Sequence, residues 1–142
     1  MAIRQLSVFV ENKEGTLVTI TDALANANVD IRAMSIADTQ DFGILRLIVK
    51  DIDKAKETLE KSDCFVSITN VVAVALSDEI GSLAKAVRIL TENKINIEYM
   101  YVFISGKKET AYVVLRVENN DEAEKILSEN GITIVNESDI EQ

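Results

Sequence analysis

One passage of the chain occurs twice, and this repeat limits the possible folds more than any other feature of the sequence. In the first copy, an apolar run leads through a polar segment to Gly15, and an apolar pattern with helical spacing begins at Leu17. In the second copy, the same succession leads to Gly81 and Leu83. The two glycines lie 66 residues apart, and the apolar positions after them keep this spacing. A repeat of this kind predicts one supersecondary unit that is built twice.

Hydrophobic periodicity predicts the same order of elements in both copies. The first copy is predicted to have strands at residues 3–10, 29–36, 44–49 and 65–68, and helices at residues 15–26 and after Asp51 or Asp53. The second copy is predicted to have strands at residues 72–76, from Ile95, and at 132–135, helices after Gly81 and from Asn119 or Asn120, and a polar tail at 136–142. Hairpin connections are predicted at residues 38–43 and 105–109, which are rich in turn-forming residues.

The order β-α-β-β-α-β, found twice, predicts an α+β fold. We expect two ferredoxin-like sandwiches, each an antiparallel four-stranded sheet with two helices on one face. The predicted domains are residues 1–69 and 70–142. No Gly/Ser-rich or Pro-rich linker separates them, so we expect the repeats to pack as one body and to join side by side through their edge strands.

Composition narrows the classes of function. The 142 residues carry a net charge of −9, which disfavours nonspecific binding to nucleic acid or to anionic membranes. No apolar run approaches the roughly 20 residues of a membrane-spanning helix, and the N-terminus lacks a signal-peptide pattern, so a cytoplasmic protein is expected. Cys64 is the only cysteine and histidine is absent, which removes the commonest general base and metal ligand. We expect no metal, no cofactor and no catalysis.

The two glycine loops are the strongest candidates for binding. Glycine at a strand-to-helix turn permits a positive φ and a close approach of the backbone. The helix after it begins with N–H groups that lack partners within the helix, and with the positive end of the helix dipole. Such a place can hold a carboxylate or a phosphate. A plain tight turn is the alternative for one loop alone, but two matching loops favour binding.

The pattern of strand, polar loop, Gly-x-Leu and helix, followed by Val-Asp-Ile or Ile-Asn-Ile, resembles the ACT domain family over nearly the whole chain. The resemblance implies a tandem ACT protein that senses a small molecule, most often an amino acid, where two ACT units meet. It implies ligand-binding roles for the two glycine loops and for the starts of the second strands, namely Asn12, Lys13, Glu14, Gly15, Thr16, Leu17, Asp30, Ile31, Asp78, Glu79, Ile80, Gly81, Ser82, Leu83, Asn96 and Ile97. Glu14 and Ile80 replace a proline that many members have, so the loops are expected to be less rigid.

The function implied is that of a non-catalytic regulator of amino-acid metabolism. The catalytic or DNA-binding segment to which ACT units are usually fused does not fit in the remaining residues, so we expect the chain to act in trans on a metabolic enzyme. Three other functions stay open: a ligand-free module for protein interaction or oligomerisation, a regulatory subunit of a biosynthetic enzyme, and an enzyme whose reaction the residues do not identify.

The charges of the loops predict which ligand binds. The first loop carries Lys13 and Glu14, whereas the second carries Asp78 and Glu79 and no cation. An acidic ligand would be repelled near the second loop and by the net charge, so an amino acid with a neutral polar or cationic side chain is expected. The two loops are expected to bind unequally.

A homodimer is expected from the aromatic strand of the second copy. Tyr99, Tyr101 and Phe103 alternate with Met100, Val102 and Ile104, so both faces of this strand are apolar. Because the face of a sheet that helices do not cover is usually polar, a second chain or a partner protein is expected to cover it.

Overall fold

The computed structural model describes residues 2–38, 41–104 and 108–140. The elements in these ranges are β1 (Ile3–Glu11), α1 (Thr16–Asn26), β2 (Ile31–Asp38), β3 (Phe42–Val49), α2 (Ile52–Lys61), β4 (Phe65–Ser77), α3 (Ser82–Glu92), β5 (Tyr99–Ile104), β6 (Thr110–Arg116), α4 (Asn120–Glu129), β7 (Thr133–Ile134) and α5 (Glu137–Ile140). The chain forms two compact units. We call Arg4–Thr69 the N-terminal unit, and Asn70–Gln142 with Met1–Ile3 the C-terminal unit.

The N-terminal unit is a sheet with strand order β2-β3-β1-β4 and two helices. β3 pairs antiparallel with both β1 and β2, and Val8 lies opposite Leu45. Because side chains alternate along a strand, every second residue of β1 and β3 points to the same face as the helices. The buried core on that face consists of Leu6, Val8, Val10, Ile20, Leu24, Val29, Leu45, Leu47, Val49, Ile52, Ala55 and Leu59.

The C-terminal unit repeats this arrangement. β6 pairs antiparallel with β4 and with β5, and β7 pairs antiparallel with β4. Its core holds alternate residues of β4 and β6, residues of α3 and α4, and one residue from each segment that follows β6 and α4. These residues are Val72, Val74, Leu76, Ala86, Ile89, Leu90, Val113, Leu115, Val117, Ala123, Leu127 and Ile132. Leu24 and Leu90, which occupy equivalent positions of the repeat, are both completely buried. The predicted α+β class, with two β-α-β-β-α-β units, is confirmed.

The strands differ from the prediction at two places. The strands predicted at residues 65–68 and 72–76 are one continuous strand, β4, because the residues between them include no glycine or proline that would break an extended chain. The strand predicted from Ile95 begins instead at Tyr99. Ile95 and Ile97 pack against the core from an irregular segment, which explains their strand-like apolar pattern.

Two further parts of the prediction concern the hairpin connections and the C-terminal end. Thr39, Gln40 and residues 105–107 of the two predicted hairpin connections lie outside the described residues. The strands that flank these connections end at Asp38 and Ile104. The segment predicted as a polar tail contains the one-turn helix α5, whose Ile140 is buried.

The aromatic strand β5 is covered more completely than its sequence suggested. The ring of Phe103 contacts that of Tyr112 on β6 edge to face, with 5.0 Å between ring centroids. Phe103 is only 5% exposed, and Tyr112 is buried as well. The single chain therefore removes these two rings from water without a second chain, whereas Tyr99 and Tyr101 on the same face of β5 stay partly exposed. The homodimer stays a prediction, and this argument for it is weaker.

Candidate functional site

Both glycine loops turn at a glycine whose backbone is in the left-handed conformation. Gly15 is the N-cap of α1 with φ 85° and ψ −15°, and Gly81 is the N-cap of α3 with φ 90° and ψ −8°. Side chains other than glycine, and to a lesser degree asparagine and aspartate, are strained in this conformation. The geometry of the turn from strand to helix therefore favours glycine at both positions.

The helices that follow these glycines begin without the groups that normally offset their positive ends. In the described part of the chain, no side chain caps α1 or α3, and neither first turn contains an acidic residue. By contrast, the carboxylate of Asp51 accepts a hydrogen bond from the N–H of Lys54 in α2, and Asn119 caps α4 in the same way. Since both caps are followed by acidic residues, each unit has, among its two longer helices, one N-terminus that is closed and one that is open to an anion.

A cavity of about 190 Å³ lies beside the first glycine loop. Residues of β1, the loop, α1, β2 and β3 line it, namely Val10, Glu11, Asn12, Lys13, Thr16, Leu17, Ile36 and Gly43. Leu17 and Ile36 are large apolar side chains that remain partly exposed there. The first turn of a helix and an apolar wall thus share one small cavity.

Hydrogen bonds hold the polar side of this cavity in place. The N–H of Asn12 donates to the carbonyl oxygen of Asp41 at 2.9 Å, which ties the loop to the start of β3. The ammonium of Lys13 lies 3.0 Å from a carboxylate oxygen of Glu11, so these two charges offset each other. The N–H and the hydroxyl of Thr19 both donate to the carbonyl oxygen of Gly15, at 3.1 and 2.8 Å.

Gly43 forms part of the floor of the cavity. A Cβ atom at this position would lie 3.2 Å from the carbonyl oxygen of Ala37 and 3.3 Å from a methyl group of Val10. Such distances are tighter than ordinary contacts, so a side chain here would displace its neighbours. Glycine keeps the floor open between β1 and β2.

A second cavity, of about 460 Å³, lies between the same loop and the residues that follow α2. Phe9, Glu14 and Cys64 are among the residues that line it. Burial, and then the nearby carboxylate of Asp63, raise the pKa of the Cys64 thiol. Cys64 is therefore less reactive than a free thiol at neutral pH.

The second glycine loop differs in its polar groups. The hydroxyl oxygens of Ser77 and Ser82 lie 2.8 Å apart and share a hydrogen bond, so the hydroxyl of the first residue of α3 is already engaged. Ile80 is fully exposed, and Leu83 and Val102 repeat the positions of Leu17 and Ile36 as partly exposed apolar residues.

The structure does not bring all the predicted site residues together within a unit. Ile31 lies opposite Val49, at the end of the sheet remote from Gly43, and Asp30 interacts there with Arg32 and Lys50 at 3.5 and 3.9 Å. In the C-terminal unit, Asn96 and Ile97 precede β5 at the corresponding end. Asn96 lines a separate cavity of about 530 Å³ there, with Lys94, Glu98 and Arg116 among its neighbours. Within each unit, the glycine loop and the start of the second strand are thus at opposite ends.

Sequence reasoning missed Ile36 and Gly43. Both lie near the connection between β2 and β3, where the sequence predicts only a strand that ends at Ile36 and a turn at residues 38–43. The available signal was the repeat: Val102 stands at the spacing of Ile36, and both are apolar residues at the end of a strand close to a glycine loop.

Other kinds of site find no support in the described ranges. No helix there is both long and apolar enough to cross a membrane. No group of three or more acidic or cysteine side chains in the same part of the chain could hold a metal ion.

Comparisons with known proteins agree with this fold. The model of the ACT domain pair family matches residues 1–142. The structure of protein BT0572 from Bacteroides thetaiotaomicron is similar, with 39% identity, a TM-score of 0.93, and coverage of 100% of this chain and 97% of that one. The regulatory subunit of aspartate kinase from Thermus thermophilus, in its ligand free form, has 16% identity and a TM-score of 0.63, over 89% of this chain and 91% of that one.

A structure of the aspartokinase alpha and beta subunits gives 21% identity and a TM-score of 0.60, over 89% of this chain and 90% of that one. At this level of identity, the two kinase comparisons show a shared fold. A search of curated proteins found no match. Together with the repeated glycine loop, the match over residues 1–142 shows that the chain belongs to the ACT domain pair family.

Proposed function

We propose that this chain is a non-catalytic regulatory protein that binds a small amino acid beside the Gly15 loop. In this proposal it works in the cytoplasm and acts in trans on an enzyme of amino-acid metabolism. The observation that carries the proposal is the cavity in which the open N-terminus of α1 meets Leu17 and Ile36. A small ligand with one charged end and one carbon chain fits such a place.

The charged groups of an α-amino acid have complementary partners at this cavity. Its carboxylate accepts hydrogen bonds from N–H groups in the first turn of α1 and from the Thr16 hydroxyl, and the helix dipole favours the negative charge. Its ammonium group is bound by the side-chain oxygen of Asn12 and by backbone carbonyl oxygens of the loop. At about 190 Å³, the cavity is below the range of roughly 300–1,000 Å³ typical of drug-sized ligands.

The walls of the cavity favour a neutral side chain on the ligand. Lys13 is paired with Glu11, so neither charge is fully available to a charged ligand side chain. Val10, Leu17 and Ile36 supply apolar surface. The net charge of −9 works against aspartate and glutamate. Among neutral and cationic candidates, we expect a small neutral amino acid to bind best.

The fold of known regulatory subunits supports the regulatory part of the proposal. The Thermus thermophilus protein of similar fold is a regulatory subunit of aspartate kinase. By analogy of fold, we propose that the partner of this chain is a separate metabolic enzyme, and that ligand binding changes their interaction.

A thermal-unfolding screen of the twenty amino acids tests the binding proposal. A ligand at about 100 times its Kd adds about 2.7 kcal/mol to the free energy of unfolding, which raises Tm clearly. Leu17→Ser, which should weaken binding about tenfold, is expected to remove about half of this stabilisation, whereas Leu83→Ser, the matched change at the second loop, should retain it. If no amino acid raises Tm, or if both variants respond like the wild type, the proposed site is wrong.

A function in protein interaction is the second candidate. The specific observation in its favour is that Phe9, Phe42 and Phe65 are exposed on the N-terminal unit. A protein that responds to no amino acid in the screen, yet self-associates through these residues, would support this candidate. We include a homodimer in both candidate functions.

A further inference from the structure

The phenylalanines of this chain are distributed unusually between interior and surface. Of the four, Phe103 is 5% exposed, whereas Phe9, Phe42 and Phe65 are 52%, 58% and 70% exposed. All three exposed rings belong to the N-terminal unit. Single exposed apolar residues are ordinary, but large apolar residues that cluster on a surface mark interaction sites.

The pairing of the strands brings these rings together on the sheet face opposite the helices. Phe9 lies between Val8 and Val10, which both point into the core, so its own side chain points to the other face. Phe9 is opposite Ile44 on β3, and Ile44 is opposite Ala37 on β2. We call Phe9, Phe42, Phe65, Ile44 and Ala37 the aromatic patch.

Strand register and a ring contact place the three rings of the aromatic patch beside one another. Phe42 is opposite Glu11, which lies two residues along β1 from Phe9. The rings of Phe9 and Phe65 meet edge to face, with 5.6 Å between their centroids. Since an aromatic side chain can bury about 150–250 Å², the exposed parts of three rings amount to about 300 Å² of apolar surface. A stable interface buries about 800 Å² on each partner, around an apolar centre with a polar rim. The patch is large enough for the centre of such an interface.

The charges beside the patch complement one another across a two-fold axis. Along the strands, Glu11 lies two residues from Phe9 on one side, and Arg46 lies two residues from Ile44 on the other side. Both side chains are on the same face as the patch. When two such faces pack with their strands antiparallel, about an axis that runs along the row of Phe9 and Ile44, the Glu11 end of each copy lies over the Arg46 end of the other. Glu11 pairs with Lys13 in its own chain through one carboxylate oxygen, and its carboxylate has further acceptor sites for Arg46 of the other copy.

We infer that the aromatic patch is the homodimer interface of this protein, and that its occupant is the same patch of a second copy. The two faces pack as in a β-sandwich, with the phenylalanine rings at the centre and Glu11 of each copy close to Arg46 of the other. This inference gives a surface to the homodimer included in the proposed function. It does not depend on the amino-acid site.

Measurement of self-association tests whether the aromatic patch forms the dimer interface. Sedimentation of the full chain between about 1 and 100 μM should show a monomer–dimer equilibrium. Phe9→Ser and Phe65→Ser should each raise the dimer Kd at least about tenfold, because each change occurs twice in a symmetric interface. Val18→Ser is the matched control, since Val18 is 54% exposed but lies on α1, away from this face. A monomer at all concentrations, or equal dimerisation of Phe9→Ser and the wild type, would overturn the inference.

Charge reversal tests the predicted orientation and does not require removal of apolar surface. Glu11→Arg and Arg46→Glu should each weaken the dimer about tenfold or more, because like charges then face each other. The double variant should recover most of the wild-type affinity. A merely structural role of these residues would not produce such a recovery. If the double variant dimerises more weakly than both single variants, the orientation is wrong, and the inferred interface is wrong as well.

Discussion

At the scale of the residue, the left-handed conformation of Gly15 determines how the chain turns from β1 into α1. A Cβ atom at Gly15 would meet no described atom within 4 Å, so the cost of replacing it comes from φ 85° and not from crowding. We expect Gly15→Ala to lower the free energy of unfolding by about 1–2 kcal/mol. Gly15→Asn should cost less, since asparagine tolerates the left-handed region. Urea denaturation measures both values.

The same pair of variants separates the backbone from the ligand site. If the Gly15 loop binds the carboxylate of an amino acid, Gly15→Ala should also weaken binding in the protein that remains folded, because a relaxed turn moves the first N–H groups of α1. Calorimetry of both variants provides the comparison. Equal stability of Gly15→Ala and Gly15→Asn would contradict the role assigned to the left-handed turn.

At the scale of the element, the beginnings of the helices distinguish α1, the helix proposed to bind a ligand, from α2. α2 has its cap at Asp51 and an acidic residue in its first turn, whereas α1 has neither. Stability alone would favour a cap at both helices, which typically contributes about 1 kcal/mol. The open start of α1 is therefore consistent with a site that an anionic ligand fills.

A negative charge placed in the first turn of α1 should compete with that ligand. Val18→Glu is expected to stabilise the protein by about 0.3–1 kcal/mol through the helix dipole, and to weaken amino-acid binding by a similar free energy, about two- to fivefold. Val18→Gln, which has the same shape without the charge, is the control. Unfolding curves and calorimetry measure the two effects. Equal affinity of the two variants would show that the ligand carboxylate does not use this helix end.

At the scale of the whole molecule, the two repeats share a fold but differ at their loops. The first loop lines a cavity with a paired Lys13, whereas the second has two acidic residues and a Ser82 hydroxyl that Ser77 already engages. Duplication of a unit therefore does not imply duplication of a site.

We accordingly expect calorimetry of the full chain to show one dominant amino-acid site per chain. Leu17→Ser should reduce the affinity of that site about tenfold, through the loss of roughly 1–2 kcal/mol of apolar contact. Leu83→Ser should change it by less than about twofold. Two sites of equal affinity per chain, or a stronger effect of Leu83→Ser, would contradict the assignment to the first loop.

The sequence by itself determined the fold class, the repeat and the positions of both glycine turns. These features depend on local periodicity and on backbone conformation, which are determined by residues close together in the chain. Gly15 and Gly81 mark the turns, and Leu24 and Leu90 mark the same buried helix position. The family resemblance rested on the same local pattern, and the match over residues 1–142 confirms it.

Only the tertiary structure decided which distant residues share a cavity or a face. Strand register places Ile36 and Gly43 beside the Gly15 loop and leaves Asp30 and Ile31 at the other end of the sheet. It likewise brings Phe9 and Phe65 into contact and shows Phe103 buried, although all three are phenylalanines in strands of similar pattern. Register and burial depend on pairing between residues far apart in the chain, and a shift of one residue would turn every side chain to the opposite face.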